Sequence, residues 1–101
     1  MNKLNTLKKN DKAFRLMSRY NPQLGTYYVW TLVDVDKITK SSVFVKAMVG
    51  AERYNINTRD LRRKSQSIYG STTYSLYTLG EAKVRNEELV RQGNNVRGFK
   101  D

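Results

Sequence analysis

Arg59, Arg62, Arg63, Lys64 and Gln66 fall in one short stretch with Asp60 as its only acid. A guanidinium is planar, always charged and able to bond a phosphate bidentately, so such a group suits a phosphate backbone or a base edge. Arg53 lies just upstream. A second basic stretch carries Lys3, Lys8, Lys9, Lys12, Arg15 and Arg19 against Asp11 alone. As an arm, it would add phosphate contacts without reading sequence. Tyr54, Tyr69 and Tyr74 interleave with the first cluster and are candidates for stacking on exposed bases. The plainer accounts are solvated charge and ordinary core aromatics, and Trp30 and Tyr28 are assigned to the core.

Catalytic chemistry is poorly provided for. The chain has no cysteine and no histidine, which removes thiolate sites, disulfides and the commonest general base. Asp34 and Asp36 are spaced to share a side of a strand end and could hold a divalent metal for phosphoryl transfer. No clear third acid or positioned lysine accompanies them. No glycine-rich phosphate loop is present. The sequence therefore assigns no catalytic residue, metal site or cofactor.

These side chains need elements to position them. Residues 12–20 alternate, with Phe14, Leu16 and Tyr20 opposite Arg15, Met17 and Arg19, which predicts a strand, a helix after Asp11 being the rival. Asn21-Pro22-Gln23-Leu24-Gly25 reads as a turn. Residues 26–35 predict a central strand apolar on both faces, and residues 43–51 its antiparallel neighbour. A helix is expected over 58–68, capped by Asn57 or Thr58. Its Arg59, Arg62, Arg63 and Gln66 would lie opposite Leu61 and Ile68, at about 100° per residue. Residues 72–77 suggest a short strand. Thr78-Leu79-Gly80-Glu81 fits a capping box opening an amphipathic C-terminal helix that ends near Gly93.

The sum is an α+β fold: an antiparallel β-meander of about three to four strands, a basic helix and a C-terminal amphipathic helix. It occupies residues 12–93 as a single domain, after a flexible basic arm over 1–11 and before a tail over 94–101 that is expected to be mobile unless Val96 and Phe99 dock on the core.

Nineteen basic residues against nine acidic ones give a formal charge of +10 over 101 residues. That field attracts polyanions. The expected function is that of a small basic non-enzymatic nucleic-acid-binding accessory protein, with RNA or single strands favoured because no major-groove module is evident. The alternatives are an inhibitor or adaptor, of the kind small phage genes encode, that docks on an acidic protein, and a small metal-dependent nuclease centred on Asp34 and Asp36. No apolar run approaches the roughly 20 residues of a membrane helix, and no secretory signal is evident, so no membrane partner and a cytoplasmic location are expected.

Overall fold

The computed structural model describes residues 4–23, 25–47, 50–61 and 72–99. Two long strands form its frame, β1 (Lys12–Asn21) and β2 (Gly25–Ile38), paired antiparallel from Lys12↔Asp34 to Asn21↔Gly25. β2 is rich in aromatic and β-branched residues, which suit a pleated surface covered on both sides, while β1 brings Phe14, Leu16, Met17 and Tyr20. Gly25 takes a φ of 79° at the turn between them, which a side chain would resist. β3 (Ser42–Lys46) and β4 (Ala51–Asn55) add antiparallel hairpins on the far side of β2, and β5 (Thr73–Tyr77) adds to the outer edge of β1. The order is β4-β3-β2-β1-β5. The α-helix α1 (Leu79–Arg91) follows, and β6 (Asn95–Arg97) then pairs parallel to the start of β2.

The sheet curls into a half-barrel. One apolar cluster draws Ala13, Val33, Val35, Val43, Val45, Tyr54 and Leu76 from all five strands of the path, so it fills the inside of the curl. A second cluster lies on the outer face. There Phe14, Leu16 and Trp30 meet Ala82 and Leu89 of α1, with Tyr28, Tyr77, Val96 and Phe99 around them. The strand period of two sends neighbouring residues such as Ala13 and Phe14 into different clusters. Residues 59–61 link the two ends of the curl. The Asn55 amide donates to the Asp60 carbonyl at 2.9 Å, the Leu61 amide to Tyr74 at 3.1 Å, and the Leu76 amide to Arg59 at 3.0 Å.

The expected architecture needs correction. The molecule is mostly strand, a six-stranded curled sheet with one α-helix among the described residues, and not a meander of three to four strands with two such helices. The helix expected from Thr58 does not start. Arg59 has a φ of 71°, outside the right-handed helical region, and Asp60 and Leu61 bridge to strands instead. The remainder of that segment lies outside the described residues. The single strand expected over 43–51 is divided between β3 and β4, with Gly50 at a φ of 70° in the turn.

Residues 4–11 are not a free arm. Leu4–Thr6 forms a short 3₁₀ helix, and Leu4 and Leu7 are buried in the inner cluster. Asn10 and Asp11 continue the ladder by pairing with Val35. Burial of two leucines outweighs the local lysine content. The tail is also anchored, through β6 and through Val96 and Phe99.

The C-terminal helix forms as its capping box implies. The Thr78 side chain accepts from the Glu81 amide, and the Glu81 carboxylate accepts from the Thr78 amide at 3.2 Å. Among the described residues no helix is long and apolar enough to cross a membrane.

Candidate nucleic-acid interface

The N-terminal segment fills the curl near the start of β1, while the β1–β2 turn end carries polar side chains on the same inner face. Registry places them in two adjacent rows. Tyr74, Met17, Val29 and Arg97 form one, across β5, β1, β2 and β6. Arg19, Tyr27 and Asn95 form the next. Along a strand the two rows are about 6–7 Å apart. Arg19 and Arg97 are exposed, and Tyr27, Tyr74, Met17 and Val29 are half-buried. The concave mouth thus offers aromatic and apolar side chains between two exposed guanidiniums.

Its inner limit is an ion-pair cluster that reaches across the curl. Arg15 of β1 donates to Glu52 Oε1 of β4 at 3.0 Å, although the two strands are not neighbours. The Tyr54 hydroxyl donates to the same oxygen at 3.2 Å, and the Arg15 guanidinium lies 5.3 Å from the centroid of the Tyr74 ring. Burial opposes the charge of Arg15, but the hydrogen bond and charge of Glu52 outweigh it and hold the group cationic. Tyr74 is therefore backed by a fixed cation on the core side.

Burial pushes the Tyr54 hydroxyl well above its ordinary value of 10.0, and the Glu52 carboxylate adds to the effect. A folded-state value above the unfolded one is stabilising below the unfolded value and loses that contribution as pH rises. Stability should therefore fall above about pH 10 as the unfolded chain alone ionises this phenol. The Tyr54→Phe variant should show a shallower alkaline loss, read from urea midpoints at pH 9 to 11. Parallel curves for the two proteins would contradict this account.

The residues singled out in the sequence are not all brought together. Arg15 and Arg19 reach the concave mouth. Tyr74 is there too, half-buried. Tyr54 is fully buried and cannot stack on a base. Arg59 turns inward, against Glu81 and 4.9 Å from the Tyr77 ring centroid, rather than onto an open face. Lys8 and Lys9 are exposed beside the filled end, and Lys12 pairs with Asp34. Arg53 is exposed on the outer face of β4. Arg62, Arg63, Lys64, Gln66 and Tyr69 lie outside the described residues. The chain leaves the described part at Leu61 and returns at Thr72, next to β5.

Sequence reasoning missed Tyr27 and Arg97. The alternation of β2 already set Tyr27 opposite Trp30, which was a usable signal. Arg97 had none, because a three-residue strand has no periodicity to read.

Asp34 holds the Lys12 ammonium, whose hydrogen bond pulls the carboxyl below its ordinary range. A register shift between Val35 and Lys37 sets Asp36 in an irregular step of the β2–β3 ladder. Among the described residues no three acids cluster as a metal site would require. Fold and surface together define a curled β half-barrel with a basic, aromatic concave mouth. The chain matches no protein-family model, no curated protein and no solved structure.

Proposed function

We propose that this chain is a small basic nucleic-acid-binding protein of the cytoplasm that acts without catalysis and favours RNA or other single strands. One observation carries the reading: the juxtaposition of Arg19 and Arg97 with Tyr27 and Tyr74 on the open part of the concave face. Unpaired bases can stack on tyrosine rings, for about 1–3 kcal/mol each, while the guanidiniums take the phosphates. A duplex hides its base faces, so it would gain only the charge term. The formal charge of +10 speeds encounter with any polyanion and does not choose among them.

The test is fluorescence anisotropy with a labelled single strand over a series of salt concentrations. Arg19→Gln with Arg97→Gln should weaken binding and lower the log–log salt slope by about 1.4, from roughly 0.7 for each phosphate contact on a single strand. Tyr27→Ala should weaken binding about tenfold with little change in slope, since stacking releases no counterions. Binding of wild type to duplex as tight as to single strand, or no effect of these changes, would reject the assignment. An acidic protein that stays bound stoichiometrically after nuclease treatment would replace it.

A further inference from the structure

Phe44 belongs to neither apolar cluster. It stands on the outer face of β3, whose neighbours on the pleat, Val43 and Val45, are fully buried inside the curl. The helix α1 packs on β1, β5 and β6, and the outer cluster it completes contains no residue of β3 or β4. This part of the sheet's outer face carries a row of its own: Lys37, Phe44 and Arg53, directly opposite one another on β2, β3 and β4. Lys37 and Arg53 are exposed, Phe44 is half-buried, and Lys37 Nζ lies 4.7 Å from the ring centroid. Lys46, two residues beyond Phe44 on the same face, is exposed as well. Among the described residues neither Lys37 nor Arg53 forms an ion pair, and Asp34 on this face is engaged by Lys12.

We propose that the Lys37–Phe44–Arg53 row is a second contact for single-stranded nucleic acid, on the opposite face of the sheet from the concave mouth. The occupant follows from complementarity. An aromatic ring between two cations that are unpaired among the described residues matches a base between two phosphates, and no carboxylate interrupts the row. A base stacked on the ring gains more than an exposed ammonium does, so it can displace Lys37 toward a phosphate. With a site on each face, one chain holds two strand segments and can bring them together. The inference rests on reading the concave mouth as a nucleic-acid site, and the experiment separates the two.

The probe is a pyrimidine oligonucleotide of about six nucleotides, within the span of a single small site. Stoichiometry is read by native mass spectrometry and calorimetry. Wild type should take up two oligonucleotides. Phe44→Ala with Arg53→Gln should take up one, and so should Arg19→Gln with Arg97→Gln. Phe44→Leu keeps an apolar side chain without the flat ring, and it should weaken the second binding event about tenfold. Trp30 fluorescence reports that each variant is folded. A single wild-type site, retained in both Phe44 variants, would overturn this proposal and leave the concave reading intact. A single site lost with Phe44 and kept without Arg19 and Arg97 would sink the concave reading instead. No uptake by wild type overturns both.

Discussion

Trp30→Ala is expected to lower the folding free energy by about 3–5 kcal/mol, the range for deleting a large buried aromatic. Trp30 is 2% exposed and is the hub of the outer cluster. Its ring meets Phe14 edge-on at 5.8 Å between centroids, Tyr77 at 5.6 Å and Phe99 at 5.7 Å. Its Nε1 donates to Asn86 Oδ1 of α1 at 3.1 Å, so the loss removes a helix-to-sheet hydrogen bond and leaves an amide acceptor without that donor. Because α1 and β6 both rest on this cluster, the variant should loosen them first. Chemical denaturation gives the magnitude, and hydrogen exchange gives the order. An unaltered urea midpoint would show that the outer cluster does not hold the helix.

Arg59→Gln should cost about 2 kcal/mol, less than the roughly 3–5 kcal/mol of breaking a fully buried ion pair because some solvent screening remains. The side chains of Arg59 and Glu81 are 18% and 13% exposed. The guanidinium forks onto both Glu81 oxygens and donates to the Leu76 carbonyl at 3.2 Å. It thereby fastens the segment linking β4 to β5 onto the first turn of α1. Glu81 also caps that helix, so its carboxylate would lose the guanidinium while staying largely out of water. A double-mutant cycle with Glu81→Gln should return a coupling energy of the same sign and about 1–2 kcal/mol. Measured on folded protein, the salt slope of nucleic-acid binding should not change. A slope lowered without loss of stability would restore Arg59 to the phosphate-binding surface.

The two frame strands were legible because their signals were long. Residues 12–20 alternate well enough to favour a strand over the rival helix, and residues 26–35 are apolar on both faces, as suits a strand covered inside and out. The capping box of Thr78 and Glu81 is a local device, and it set the start of α1 correctly. What failed was decided by distant contacts. Leu4 and Leu7 look like stray leucines among lysines until the curl offers them an interior. Thr58 to Leu61 carries a good helix start, yet bonds to Asn55, Tyr74 and Leu76 pull it straight across the sheet ends. The pairing of Arg15 with Glu52 spans strands that are not neighbours, so no local pattern announces it. The concave site was half visible for the same reason. Arg19 and Tyr74 sit on long or well-marked strands, whereas Arg97 gains its place only from pairing with β2.

The short bridge at residues 59–61 also bears on how this chain avoids its own kind. An open five-stranded path leaves two rows of unpaired amides and carbonyls, each a template for another copy of the same strand. Here the row on β4 is met at Tyr54 and Asn55, and the row on β5 at Tyr74 and Leu76, by one piece of backbone. The last strand added, β6, is only three residues long and ends in Arg97, a poor seed for a growing stack. Mutual repulsion between chains of formal charge +10 reinforces the barrier. Were nucleic acid to neutralise that charge, as proposed above, the covered edges would become the main defence against fibrils, and a chain crowded along a polymer would depend on them most.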